Sequence, residues 1–493
     1  MIRRNTNLRI LVSLLALASV DAFAKDSLSI GMSLEPPHLD PTAGSAGAID
    51  EVVYRNVFEG LTRIDRDGHV QPALSKSWKI DEDGLGYTFE LRTDVVFHDG
   101  AKFDCSDVEF SFTRAMAKDS VNAQKRLFSP IKDINCISPN QVKITLNTIT
   151  STFLESLAWG DAVIVDPASS DNNKTAPNGT GLFKFKRWVK GDRITLDRNE
   201  QYWGKLAGLK SVTFRFISDP SAATASLMSG DLDAYPNLAV PEILPVLKSN
   251  PDLSVHVGTT EGETILALNN ASKPLGDIRV RRAITHAINR PALLRGAMFD
   301  MGALIGSHVS PHNPGYVDLS KLYDYDISKA KSLLVEAGYP DGFSVRLFMP
   351  PRAYSRRSGE IIAAQLAQVG IKVELIPVEW AQWIDQIFKR SDFEMTVIAH
   401  TEPADIEIYA RDKYYFNYEN TEFKGMYQQY LQTVSKNEAN QLFEQMQRKL
   451  ADDSVNVFLF QLAKIGVWNS SVNGLWKNSP IQANDLADVL WDN

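Results

Sequence analysis

The sequence predicts an α/β fold divided over more than one domain, and three observations carry that expectation. Strand-like runs of period two alternate with helix-like runs along the chain, with no fixed repeat and no low-complexity segment. Hydrophobic content of 44% and charged content of 23% are those of a globular chain. A length of 493 residues exceeds what one hydrophobic core usually serves, so two or three domains are expected.

The elements follow in order. Arg3, Arg4 and Arg9 precede an apolar stretch, residues 10–20, which runs into Ala22-Phe23-Ala24. A basic start, an apolar core and a small-x-small site mark residues 1–24 as a secretory signal peptide. The stretch is about half as long as a membrane-spanning helix needs, and no later run offers 18 uninterrupted apolar residues. No cysteine stands near the cleavage site to accept a lipid, so a free periplasmic protein is expected. Period-two alternation predicts strands over 87–92 and 141–146. Helical spacing predicts helices over 107–115, 278–288, 328–337 and 358–369. Asp326 stands ahead of the third of these and Gly338 after it, and Pro340-Asp341-Gly342 makes a turn before a strand over 344–349.

The leader holds Arg3, Arg4, Arg9 and Asp21, so 52 basic and 60 acidic residues fall to 49 and 59, a net charge of −10. That balance suits a small solute better than nucleic acid or an anionic membrane. Cys105 and Cys136 are the two cysteines. In an oxidising compartment a lone pair is most simply a disulfide, worth roughly 3–4 kcal/mol for a loop of this size; two free buried thiols are the other reading.

Catalytic signatures are missing: there is no Gly-x-Ser-x-Gly elbow, His-Glu-x-x-His pair, phosphate loop or Gly-x-Gly-x-x-Gly. Of eight histidines only His308 and His312 share a helical spacing, and Pro311 and Pro314 argue against a helix there, so no structural zinc site is expected. No cofactor is implied. Aromatic stretches at Glu379-Trp380-Ala381-Gln382-Trp383 and Lys413-Tyr414-Tyr415-Phe416-Asn417-Tyr418 could serve a core or line a cleft. Glu402 and Asp405, with aromatic and basic neighbours, read as a solvated loop or as part of a site.

Several stretches resemble one family, the large periplasmic solute-binding proteins of dipeptide and oligopeptide transport, family 5 of the extracellular solute-binding proteins of ABC importers. Glu35-Pro36-Pro37-His38-Leu39-Asp40-Pro41 and Asn56-Val57-Phe58-Glu59-Gly60-Leu61 are similar to its opening motifs. The segment from Pro72-Ala73-Leu74 through Trp78, Asp83-Gly84 and Tyr87-Thr88-Phe89 to Phe97-His98-Asp99-Gly100 resembles its signature region. Gly179-Thr180-Gly181, Asn199-x-x-Tyr202-Trp203, Gly230-Asp231-Leu232-Asp233, Arg279-Val280-Arg281-Arg282-Ala283 and Glu336-Ala337-Gly338-Tyr339 continue the match. The resemblance implies a two-lobed periplasmic binding protein of type II, cluster C, with an extra domain inserted in the first lobe and a ligand cleft between lobes. Lobe I is then expected over 25–69, 180–268 and 470–493, the inserted domain over 70–179 and lobe II over 269–469.

The resemblance also implies site residues. Glu402, in Ala399-His400-Thr401-Glu402-Pro403-Ala404-Asp405-Ile406, stands where relatives place the acid that holds a peptide's amino group. It departs from the pattern in being glutamate and in following Ala399 where tryptophan is expected. Arg356 and Arg357 are candidates for a ligand carboxylate, with surface charge as the other reading. Trp380 and Trp383 are candidate cleft walls, and Tyr354, His400 and Asp405 weaker candidates. The expected function is capture of short peptides for import, with two permease and two ATP-binding subunits as partners, no nucleic acid, and a monomeric state. The alternative is the same fold binding a nickel chelate, haem, a sugar or an opine-like compound. A secreted hydrolase and a peptide-binding sensor or chaperone are the readings from other classes.

Overall fold

The computed structural model describes residues 25–492 apart from 45, 239 and 402–404. The expected signal peptide and Glu402 lie outside the described residues. Among the described residues no helix is long and apolar enough to cross a membrane.

Fourteen strands organise the architecture: β1 Ser27–Met32, β2 Ser75–Ile80, β3 Gly86–Leu91, β4 Ile131–Ser138, β5 Gln141–Leu146, β6 Phe183–Val189 and β7 Arg193–Arg198 lead into the middle of the chain. They are followed by β8 Ser211–Phe216, β9 Ala234–Tyr235, β10 Leu253–Leu268, β11 Phe343–Met349, β12 Ile371–Pro377, β13 Met395–His400 and β14 Val457–Asn469. One large sheet takes the order β12-β11-β13-β10-β14-β9-β1-β8-β7-β6, with a short strand Gly302–Leu304 beside β14. A separate antiparallel sheet takes the order β2-β3-β5-β4.

The separate sheet buries Tyr87, Phe89, Leu91, Val142, Ile144 and Leu146 against the helix Cys105–Met116. That helix starts on a capping box: the Asp104 carboxylate accepts from Ser106 N–H at 2.7 Å and Asp107 accepts from Asp104 N–H at 2.8 Å. Cys105 on this helix is disulfide-bonded to Cys136 on β4, with 5.7 Å between their Cα atoms.

In the large sheet, β10 and β14 run antiparallel for most of their length and are shared by two regions. Their outer halves border β9 and β1, where Ala234 pairs Trp468 and Ile30 pairs Ala234. Their inner halves border β13, where Glu263 pairs His400. The register breaks between Thr259 and Glu263. A bulge bends the strand and re-aims its side chains, so Glu261 stands outside the ladder at the junction of the two regions and pairing resumes at Glu263.

Beyond the junction, the two faces of the sheet are buried differently. Leu266, Leu268, Met395 and Val397 pack beneath the helices Ile278–Ala287, Arg290–Met298 and Ala353–Ala367. Ile265, Ala267, Ile398 and Phe348 pack against Trp383, Tyr409, Tyr415 and Phe443 on the opposite face. Alternation along β13 sends His400 to this second, aromatic face.

The family-like motifs meet in one place. Buried Glu59 accepts from Thr180 Oγ1 at 3.0 Å, Tyr202 O–H at 2.8 Å and Trp203 Nε1–H at 2.9 Å. Gly179 is required by close approach, since a Cβ there would stand 2.0 Å from the Val57 carbonyl oxygen.

Candidate functional site

A cavity of about 740 Å³ opens between the region of the separate sheet and the aromatic face of the second half. Asn147, Glu155 and Trp159 line one wall; Ile406, Tyr427 and Phe443 line the other. Two narrow spaces, of about 20 and 10 Å³, lie toward the bulge. Glu155, Trp159, Glu261 and His312 border the first, and Glu261, Glu263, His308 and Asp405 border the second. Among the described residues neither is lined by lysine or arginine, whereas Arg126 and Lys436 border the wide cavity.

The inner end is built from carboxylates and imidazoles. Burial pushes Glu155 up to about 7, with Glu261 adding to the effect. Burial raises Glu261 too, against the opposing pull of its contact with His312 Nε2. Asp405 opens a short 3-10 helix, Asp405–Tyr409. Its burial alone would raise it, but the His308 and His400 imidazoles hold it well below the usual carboxylate range. His308 Nε2 lies 2.9 Å from Asp405 Oδ1 and His400 Nδ1 3.3 Å from Oδ2.

Of the residues expected from sequence, the structure brings His400 and Asp405 together. Trp383 reaches the same cluster only through Tyr415, whose ring centre is 5.8 Å from its own and which stacks on His400. Its indole is buried and donates to Thr396 Oγ1 at 3.0 Å, which corrects the expectation of a cleft wall: it is core. Trp380 is partly buried, 5.9 Å edge-on from Trp383, with the Arg352 guanidinium 5.6 Å from its ring. Tyr354, Arg356 and Arg357 lie in the helix Ala353–Ala367, which packs on the opposite sheet face from the cluster. Tyr354 accepts from Ala399 N–H at 3.0 Å. Arg356 is exposed, and Arg357 pairs with Glu242 at 3.0 Å. The two arginines therefore do not meet the acidic end.

His308, Glu261, Glu263 and Glu155 were not singled out by sequence. His308 and His312 were compared by spacing, yet they stand on an irregular segment and face different acids, Asp405 and Glu261. The one local signal was Glu261-Gly262-Glu263, a glycine interrupting a strand, which points to a bulge.

A long two-part sheet joined by paired strands, beside a cleft whose inner end is polar, fits a solute-binding protein. The comparisons agree. The family described as "Bacterial extracellular solute-binding proteins, family 5 Middle" matches residues 69–418, and the chain belongs to that family. It is 30% identical over 377 residues to the glutathione-binding protein GsiB of Escherichia coli K12, covering 74% of this chain and 72% of that one. The periplasmic binding protein DppA of Helicobacter pylori, solved with the peptide STSA, superposes with a TM-score of 0.79 at 25% identity, over 95% of this chain and 99% of that one. AgaA of A. tumefacien R10, solved with agropinic acid, superposes with a TM-score of 0.77 at 26% identity, over 95% and 99%. The protein is the solute-binding component of an ABC importer, a binding protein and not an enzyme.

Proposed function

We propose that the protein captures short peptides in the periplasm and delivers them to two permease and two ATP-binding subunits in the inner membrane. The observation that carries this reading is the polarity of the cleft. Glu155, Glu261 and Glu263 gather at its narrow end, where no lysine or arginine lines the space among the described residues, and Lys436 and Arg126, the latter paired with Glu407, border its wide end. A zwitterionic peptide matches that gradient, its ammonium group inward and its carboxylate toward the rim. The volume of about 740 Å³ lies within the range of small-ligand sites. GsiB and DppA, which bind glutathione and STSA, support the peptide class. Glu402 belongs to the same reading through its place in the family motif, between His400 and Asp405 in sequence.

The test is a thermal-unfolding panel of di-, tri- and longer peptides including glutathione, followed by calorimetry on any hit and on its N-acetylated form. A raised midpoint with the free peptide and none with the acetylated one is expected. Equal affinity for both would remove the amine from the inner end. Glu402→Gln is expected to weaken peptide binding by at least about 1.5 kcal/mol, the lower range for a hydrogen bond to a charged group; unchanged affinity would remove Glu402 as an anchor.

A further inference from the structure

We infer that His308, His400 and Asp405 form a binding site for one divalent transition-metal ion of the zinc or nickel class at the inner end of the cleft. The three donor atoms lie within 4.8 Å of one another. The residues are 2%, 8% and 4% exposed, far below what surface histidines and aspartates show. The imidazoles approach from different directions, with ring planes at 75° and centroids 5.0 Å apart.

The donors are close together and imperfectly paired with each other. Although His308 Nε2 is 2.9 Å from the carboxylate, neither it nor Asp405 Oδ2 has an aligned hydrogen-bond partner among the described residues. Two buried polar atoms left without a partner are costly, and a shared cation would satisfy both. His308 Nε2 stands 2.9 Å from Asp405 Oδ1 and His400 Nδ1 3.3 Å from Oδ2, so the carboxylate lies between the two imidazoles with one oxygen toward each.

The outer ring nitrogens are braced as metal-bound histidines require. His308 Nδ1 lies 3.0 Å from the Tyr409 hydroxyl, and His400 Nε2 lies 3.1 Å from the Tyr415 hydroxyl. Asn456 Nδ2–H donates to Tyr409 at 3.1 Å and fixes that ring's hydroxyl. The remaining coordination position opens on the narrow space lined by Glu261 and Glu263, from which a carboxylate or a donor of the bound solute can complete the sphere. The site depends on these side chains and not on the solute being a peptide.

The mature protein, stripped with chelator, is titrated with zinc chloride and nickel chloride without any peptide, and its metal content is measured after gel filtration. One equivalent of zinc or nickel and a raised unfolding midpoint are expected. His308→Gln and Asp405→Asn are each expected to weaken binding at least about tenfold, the lower effect of disturbing a metal site. Wild-type protein that retains neither metal overturns the inference, as does undiminished binding in both variants. Where a variant fails to fold, X-ray absorption of the zinc-loaded wild type decides: a first shell with two imidazole nitrogens is expected, and one without imidazole overturns the assignment. Metal binding without any peptide hit would leave this site standing and remove the peptide reading; peptide binding without metal would do the reverse.

Discussion

Asp161 is buried beside the cleft wall with its Oδ1 lacking a hydrogen-bond partner, and burial pushes its carboxyl up to about 7 against the opposing backbone hydrogen bond and Arg126. Asp50 next to it is raised by burial and by Asp161 itself. The folded chain thus keeps a proton that the unfolded chain has already lost above about pH 4. Stability from this group is complete below the unfolded value and is lost as pH climbs to about 7. Asp161→Asn is therefore expected to leave stability near pH 4 unchanged and to raise it at pH 8 by roughly 1–3 kcal/mol. Urea unfolding at the two pH values checks this; an identical pH slope in variant and wild type would remove Asp161 as its source.

Among elements, the junction of the segment 55–58 with 179–183 is a demanding one. Gly181 N–H donates to Val57 O at 2.9 Å and Phe183 N–H to Asn56 O at 2.7 Å, so the two backbones are in contact. A methyl group at Gly179 would meet the Val57 carbonyl oxygen at 2.0 Å and the Phe58 ring at 2.9 Å. Gly179→Ala is expected to cost roughly 3 kcal/mol or more. Gly230→Ala, at φ +79° with nothing within 4 Å, is expected to cost only about 1 kcal/mol. Equal midpoint losses in denaturant would show that close approach is not what fixes Gly179.

Local chemistry of this kind explains what the sequence made legible. The strand expected over 141–146 forms as β5, and Asp326 caps its helix by accepting from Lys329 N–H at 2.8 Å, with Gly338 at φ +90° just past the end. Periodicity and caps report on neighbours within a few residues. The helix expected from 358 begins at Ala353, because Pro350 and Pro351 hold only the preceding residues extended, and this places Arg356 and Arg357 in its first turns. The bulge at 260–262 could not be located, since it is defined by pairing with 461–463, some two hundred residues away. The contact of His308 with Asp405 was hidden for the same reason. Sequence order also gave no sign that Trp383 and Arg357 serve opposite faces of one sheet.

On the scale of the whole molecule, the walls of the 740 Å³ cavity meet through polar contacts. Arg126 on one wall pairs with Glu407 on the other, which also binds Arg411. Ser151 N–H donates to Leu431 O at 3.0 Å and Ser151 Oγ–H to Tyr430 O at 2.9 Å. The strands β10 and β14 are the continuous path between the two halves of the large sheet, and their register break at 259–263 is the natural place to bend. A solute that fills the cavity adds contacts available only when the walls meet, so it shifts the population toward the joined form. The Arg126–Glu407 pair is partly exposed and contributes about 0.2–1 kcal/mol to that form. Arg126→Ala is accordingly expected to weaken solute affinity by up to about fivefold, chiefly through faster release. Small-angle scattering should show the wild type becoming more compact on saturation, and the variant needing more solute to reach the same compaction. Wild-type affinity and release rate in Arg126→Ala would place the closing contact elsewhere, with Ser151 next to be tested.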